Sequence, residues 1–90
     1  FGAESQYLLA DLYFHAKNYD KAEKQVMDFM KKGTSHEYWM ARAIIVLSDV
    51  YAAKDDKFQA RQYLESLQAN YKGSEADIID MVSSKLAGLQ

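Results

Sequence analysis

The sequence predicts an all-α chain built from helical hairpins that stack on one another. Proline is absent and glycine occurs only four times in 90 residues, so few residues interrupt helix formation. Apolar residues recur at the three-and-four spacing of one helical face. The chain also resembles itself at one constant offset, which is typical of repeat architectures. Ala3, Leu9, Asp11, Tyr13 and Ala22 recur as Ala41, Leu47, Asp49, Tyr51 and Ala60, and Val26 and Phe29 are matched by Leu64 and Leu67.

The composition is that of a globular chain, with 49% apolar and 27% charged residues and a formal net charge of −2. Both signs of charge are interspersed, so we expect no nucleic-acid partner. No apolar run approaches the roughly 18 residues that span a bilayer, so we expect no membrane insertion by this segment. Cysteine is absent, which excludes disulfides but leaves the compartment open: periplasmic, membrane-anchored or cytoplasmic. Because the chain starts at Phe1 rather than Met, we interpret it as a fragment of a longer protein.

The first hairpin is predicted over residues 3–33. Its helices run from about residue 3 to 16 and from about residue 19 to 32. The turn between them is Lys17-Asn18, with Asn18 as a candidate N-cap, and Lys31-Lys32-Gly33 is a helix C-terminal signature. The expected apolar faces are Leu8, Leu9, Leu12, Tyr13 and Ala16 in the first helix and Ala22, Val26, Phe29 and Met30 in the second.

The second hairpin is predicted over residues 36–72. Thr34 and Glu37 fit a capping box at the start of the third helix, which runs from about residue 36 to 53. Asp55 or Asp56 caps the fourth helix, from about residue 57 to 71. The expected apolar faces are Trp39, Ala43, Ile44, Val46, Leu47, Val50 and Tyr51 in the third helix and Phe58, Ala60, Leu64 and Leu67 in the fourth.

A fifth helix is predicted over residues 74–89, beginning at Ser74 and Asp77. Its apolar residues are Ile78, Ile79, Val82, Leu86 and Leu89. We expect it to close the stack as a capping helix, so residues 1–90 form a single domain. Short turns make sequential helices antiparallel neighbours.

The two hairpins resemble the tetratricopeptide repeat family. The first unit carries Leu9-Ala10-x-x-Tyr13, Tyr19, Ala22, Val26 and Phe29, and the second carries Leu47-Ser48-x-x-Tyr51, Phe58, Ala60, Leu64 and Leu67. The second unit, with Ser48–Tyr51, Phe58–Arg61 and Asn70-Tyr71, is also similar to the terminal repeat of tetratricopeptide proteins from Bacteroides-type bacteria. The resemblance implies a fragment of a right-handed α–α superhelix.

The chain departs from the family pattern at several places. Lys17 and Asp55 stand where the family has glycine, and the proline that ends a unit is missing. Phe58 comes one position late relative to its alanine, and Lys85 stands where the fifth helix would need tyrosine. The offset between the two units exceeds the roughly 34 residues of the family, so we expect a longer connection around positions 31–38.

The resemblance also implies a concave groove lined by the first helix of each hairpin. We expect a protein or peptide to bind there through Tyr7, Asp11, Phe14, Arg42, Ile45 and Asp49, flanked by Glu4, His15, Ala52 and Ala53. Asp11 and Asp49 occupy equivalent positions. They either receive a basic side chain from the partner or pair with Arg42 or a nearby lysine.

Nothing in the sequence indicates an enzyme, a cofactor or a metal site. The two carboxylates lack a nucleophile or a glycine-rich loop nearby. His15 and His36 stand far apart in the sequence, and neither has a second ligand at metal spacing. We therefore expect an interaction module or scaffold. The alternatives are a spacer or homo-oligomerisation element of a bacterial envelope assembly, and an accessory helical domain of a larger enzyme.

Overall fold

The computed structural model describes residues 2–34, 36–71, 73 and 75–89. Over these residues the chain forms five α-helices and no strand, which confirms the all-α prediction. The predicted start of the fifth helix at Ser74 lies outside the described residues. The helices are α1 (Ala3–His15), α2 (Tyr19–Lys32), α3 (Glu37–Ala53), α4 (Lys57–Asn70) and α5 (Ala76–Gly88).

The five helices pack in two layers. Helix α3 contacts α1, α2 and α4, and helix α5 contacts α3 and α4. Helices α1, α3 and α5 therefore lie side by side in one layer, with α2 and α4 in the other. Helix α5 sits against the hairpin α3–α4 as α3 sits against the hairpin α1–α2.

Each hairpin contributes to a core of the same design. In the first core, residues of α3 pack against Tyr7, Val26 and Phe29 of the hairpin α1–α2. In the second core, Ile45, Leu64 and Leu67 of the hairpin α3–α4 receive residues of α5. These two sets occupy matching positions of the repeat, so the repeat in the sequence corresponds to two equivalent packing sites. The incoming residues are Ala43, Val46, Leu47 and Val50 from α3 and Ile78 and Val82 from α5.

The turns inside the two hairpins also have the same geometry. Lys17 has φ 62° and Asp55 has φ 66°, both in the left-handed region that favours glycine. Each turn is closed by the paired backbone hydrogen bonds of a Schellman motif. These bonds run from Asn18 N–H to Tyr13 O (2.9 Å), Lys17 N–H to Phe14 O (2.9 Å), Asp56 N–H to Tyr51 O (2.8 Å) and Asp55 N–H to Ala52 O (3.1 Å).

The helix starts agree only in part with the predictions. Asp56 caps α4 by accepting a hydrogen bond from the Gln59 amide at 3.2 Å, as expected. The predicted capping box at Thr34 is wrong, because α3 begins only at Glu37 with His36 as its N-cap. Thr34 Oγ1 accepts a hydrogen bond from the His36 amide at 3.1 Å instead, so it stabilises the turn before the helix.

The backbones of α2 and α4 lie apart from each other. No close backbone approach joins these two helices in the described part of the chain. The gap is a cleft of about 260 Å³ over α3, lined by Met30, Met40, Ile44, Tyr63, Leu67 and Tyr71 among others. Lys54, the C-cap residue of α3, pairs through its Nζ with Asp20 (2.7 Å) and Glu23 (3.0 Å) on α2.

The predicted apolar face of α1 is wrong for its three leucines, whereas Tyr13 does pack against the first core. Leu8, Leu9 and Leu12 are 51%, 38% and 64% exposed, whereas Tyr7 and Ala10 are buried. The reason is that α2 and α3 pack against the other side of α1. The leucines lie where no described element covers them.

Two other apolar residues are exposed against expectation. Phe58, predicted to be buried, is 68% exposed. Its equivalent in the first hairpin is the exposed Asp20, and Lys57 occupies the position equivalent to Tyr19. Ile79 is 51% exposed, because α5 turns Ile78 and Val82 toward the core.

Candidate functional site

The predicted groove corresponds to the outer side of the layer formed by α1, α3 and α5, which we call the α1–α3–α5 face. Its side chains come from equivalent positions of the two hairpins. Helix α1 contributes Asp11, and helix α3 contributes its repeat equivalent, Asp49. Helix α5 adds charged residues of its own opposite α3.

Arg42 is the centre of a network that joins all three helices. Its guanidinium carbon lies 5.2 Å from the ring centre of Tyr7 on α1 and 5.7 Å from that of Tyr38 on α3. The guanidinium donates hydrogen bonds to the hydroxyls of Tyr38 (2.8 Å) and Tyr7 (3.3 Å) and to Asp77 Oδ2 on α5 (3.1 Å). Charge-assisted bonds and ring contacts thus hold the three helices in register.

The same contacts shift the pKa values of the groups around Arg42. Burial opposes the charged form of Arg42, but its bonds to Tyr7 and Tyr38 outweigh burial and raise its pKa. The hydrogen bond that the Tyr38 hydroxyl donates to Asp77 lowers the pKa of Asp77 and raises that of Tyr38. The network therefore favours a cationic arginine beside an anionic aspartate at neutral pH.

Asp49 is engaged by α5. Lys85 Nζ lies 2.9 Å from Asp49 Oδ1 and 3.0 Å from Asp49 Oδ2. The Lys85 and Asp49 side chains are 34% and 28% exposed, so the pair is partly shielded from water. Of the partners considered from the sequence, a lysine binds Asp49. Arg42 binds Asp77 instead.

Asp11 has no such partner from the neighbouring helix. Its ion-pair contact among the described residues is His15 of its own helix, with Nδ1 3.3 Å from Asp11 Oδ1 and 2.9 Å from the Asp11 carbonyl oxygen. The repeat pattern matches Lys85 on α5 to Tyr51 on α3, and the Tyr51 hydroxyl donates its hydrogen bond to Glu23 Oε2 on α2 at 2.8 Å. The Asp11 carboxylate is 34% exposed against 28% for Asp49, so it is open in the sense that no cation from the next helix reaches it.

Two of the predicted groove residues do not face the groove. Tyr7 is 9% exposed and Ile45 is 4% exposed, because their equivalent positions point into the two cores. Only the Tyr7 hydroxyl reaches the face, through Arg42. Phe14 is half-buried beside Asp11, with its ring centre 5.6 Å from that of His15 and 5.7 Å from that of Tyr19. The exposed part of the Phe14 ring is available for contact with a ligand.

Three residues of the face were missed at the level of sequence: Tyr38, Asp77 and Lys85. Lys85 had a visible signal, since it replaces the tyrosine that the repeat pattern needs and carries the charge opposite to Asp49. Asp77 and Tyr38 had none, because their contacts depend on how α5 lies against α3.

The described residues include no group of three or more acidic or histidine side chains arranged to hold a metal ion. Nor does any described helix combine the length and the apolar character needed to cross a bilayer. Comparison with protein-family models, with curated proteins and with solved structures finds no match. The resemblance to tetratricopeptide repeats accordingly stays a prediction that rests on the chain's own residues.

Proposed function

We propose that this chain is a protein-interaction module of the tetratricopeptide type, which binds a peptide or a partner domain on the α1–α3–α5 face. The observation that carries the proposal is the difference between Asp11 and Asp49. The two carboxylates occupy equivalent positions, yet Asp49 receives Lys85 from α5 while Asp11 receives no cation from α3. The pair Asp49–Lys85 serves as an internal example of what Asp11 would bind.

The ligand that fits this site carries a basic side chain beside an apolar one. Its lysine or arginine would reach Asp11 as Lys85 reaches Asp49, and its apolar neighbour would lie against the exposed part of Phe14. The network around Arg42 already holds α1 and α3 in place, so binding would require little ordering of the face. The proposal involves no reaction.

The structure also changes which substitutions test the groove. Asp49 and Tyr7 were predicted to line the groove, but charge reversal at Asp49 and Tyr7→Ala are poor tests of binding. Because Asp49 pairs with Lys85 and Tyr7 lies in the first core, both changes should destabilise the fold. Asp11→Asn is the better test, since Asp11 contacts only its own helix among the described ion pairs.

Peptide selection followed by NMR mapping tests the proposal. A random-peptide display library is selected against the immobilised chain, and a bound peptide is titrated into the isotope-labelled chain. We expect enrichment of lysine or arginine and amide shift changes on α1 and on the outer side of α3. Asp11→Asn should raise the dissociation constant of the peptide by roughly tenfold, which corresponds to about 1.4 kcal/mol of binding free energy.

Asp28→Asn is the matched control, since Asp28 is an exposed aspartate on α2, in the other layer. It should leave the affinity unchanged. Shift changes confined to α2 and α4, or equal affinities of the Asp11 and Asp28 variants, would exclude the α1–α3–α5 face as the binding site.

A homo-oligomerisation element is the second candidate function. The observation that favours it is the exposed leucine face of α1, which none of the described elements covers.

A further inference from the structure

Helix α1 presents an unusual apolar surface to solvent. Leu8, Leu9 and Leu12 are exposed, and the small residues Ser5 and Ala16 continue the same side of the helix toward its two ends. We call these five residues the α1 stripe. It lies on the side of α1 away from the first core.

The repeat shows what kind of surface the α1 stripe is. Its first four positions correspond on α3 to Ala43, Val46, Leu47 and Val50. All four are buried, at 0–4% exposure, and pack against α1 and α2. The stripe thus has the residue pattern with which α3 packs against the preceding hairpin. Among the described residues, no helix packs against the stripe in the same way.

We propose that the α1 stripe binds the α1 stripe of a second copy of this chain, with the two helices antiparallel across a two-fold axis. The far end of the stack argues for this arrangement. There α5 buries Ile78 and Val82 against α3 and α4 and turns Asp80, Ser83 and Ser84 toward solvent. Ile79 is the one large apolar side chain exposed on the described part of α5, so a head-to-tail contact would set the three leucines against a mostly polar surface, whereas a two-fold contact sets them against each other.

Charge complementarity favours the antiparallel orientation. When Leu8 of one copy lies opposite Leu12 of the other, the two-fold axis passes the level of Ala10. Glu4 and His15 are then nearly opposite each other, since their midpoint falls close to the same level. Both are exposed on the border of the stripe, so the acidic N-terminal turn of one helix would meet the imidazole of the other copy.

The interface is small. One helix with three leucines covers less than the roughly 800 Å² per partner of a standard stable complex. The dimer should accordingly be weak and depend on concentration.

Sedimentation equilibrium over a range of concentrations tests the proposal. We expect the wild-type chain to pass from monomer to dimer as its concentration rises. Leu12→Glu places a charge in the stripe and should raise the dimer dissociation constant by roughly tenfold or more. Phe58→Glu is the matched control, because Phe58 is similarly exposed but lies on α4, and it should leave the dissociation constant unchanged. Circular dichroism establishes that each variant is folded.

A charge exchange tests the orientation. Glu4→Lys should weaken the dimer, and adding His15→Glu to it should restore the affinity. A wild-type chain that stays monomeric at every concentration overturns the proposal and leaves a helical hairpin of another kind as the occupant of the stripe. Equal effects of Leu12→Glu and Phe58→Glu, or no restoration by the double exchange, would overturn it as well.

Discussion

Lys17 and Asp55 hold a left-handed backbone conformation that a non-glycine residue enters only at a cost. Both lie at the position after the last helical turn, where the Schellman hydrogen bonds require positive φ. That conformation costs an L-residue roughly 1–2 kcal/mol, and glycine avoids this strain. Glycine in turn loses roughly 0.5–1 kcal/mol more than other residues on folding, because it is freer in the unfolded chain. The turn geometry is preserved in both hairpins although neither turn contains glycine.

Lys17→Gly and Asp55→Gly should each stabilise the chain, by about 0.5–1 kcal/mol, because they remove this strain. The measurement is the free energy of unfolding from urea titrations. Ala16→Gly serves as the control, since Ala16 has an ordinary φ of −80° and should lose stability on becoming glycine. If Lys17→Gly lowers stability as Ala16→Gly does, the strain argument is wrong.

Two partly shielded tyrosine hydroxyls should make the free energy of unfolding fall at alkaline pH. Burial raises the pKa of Tyr71 to about 12, helped by the carboxylate of Glu75 that accepts its hydrogen bond. Burial and the hydrogen bond to Glu23 raise the pKa of Tyr51 well above its usual value. The unfolded chain ionises its tyrosines near pH 10, so it loses protons before the folded chain does.

The contribution of these groups to the free energy of unfolding should therefore be complete below about pH 10 and fall as the pH rises from about 10 to 12. Urea titrations at stepped pH measure this fall. Tyr51→Phe with Tyr71→Phe should reduce this fall. The remaining part is due to Tyr38, whose pKa is raised by its hydrogen bond to Asp77, and to Lys54, whose pKa is raised by Asp20 and Glu23. An unchanged slope in the double variant would show that these hydroxyls ionise normally in the folded state.

At the residue scale, the sequence was informative about positions and less so about partners. The internal repeat placed Asp11 and Asp49 correctly as equivalents on α1 and α3. It did not indicate which of them is paired, because Lys85 shows only as a break in the repeat pattern and its contact with Asp49 depends on how α5 lies against α3.

At the scale of elements, α5 is held on the stack by a small apolar contact and two ion pairs. Ile78 and Val82 supply the buried part of the apolar contact, with the partly buried Met81, Leu86 and Leu89 packed against the same core. The ion pairs are Arg42–Asp77 and Asp49–Lys85. The ion pairs lie at opposite ends of α5, so they set both its position along α3 and its direction.

A double-mutant cycle on Asp49→Asn and Lys85→Met should show a coupling free energy of about 0.5–1 kcal/mol, the range of partly exposed ion pairs. Thermal or urea unfolding of the four chains measures it. A parallel cycle on Asp11→Asn and Lys85→Met should show no coupling, because Lys85 does not contact Asp11. Equal coupling in the two cycles would contradict the assignment of Lys85 to Asp49.

Element boundaries were well predicted and element faces less so. Helix α2 begins at Tyr19 and ends at Lys32 as expected, because its turn residues and its terminal Lys31-Lys32-Gly33 act locally. The inward face of α1 was chosen wrongly, because leucines outweigh Tyr7 and Ala10 in hydrophobicity. Which side of an end helix is covered depends on its neighbours in the stack, and periodicity alone does not include them.

At the scale of the whole molecule, position in the stack decides what a residue contributes. Leu47 and Leu9 are the same residue type at the same repeat position. Leu47 is fully buried between the two hairpins, whereas Leu9 is 38% exposed at the open end.

Leu47→Ala should cost about 2–5 kcal/mol, since it leaves a cavity in the first core. Leu9→Ala should cost less than about 1 kcal/mol, because little packs on it. The free energies of unfolding, measured in dilute solution where the chain is monomeric, give the comparison. Similar losses for the two variants would mean that the open end of the stack is covered by something within the chain.

The central claim is that Asp11 is an open carboxylate that receives a basic side chain of a ligand as Asp49 receives Lys85. The most direct measurement is a double-mutant cycle between the chain and a selected peptide, with affinities determined by calorimetry for Asp11→Asn and for the peptide whose basic residue is replaced by methionine. We predict that each single change weakens binding by roughly tenfold and that the two changes together cost little more than one. Fully additive losses, or an Asp11→Asn chain that binds as the wild type does, would contradict the claim.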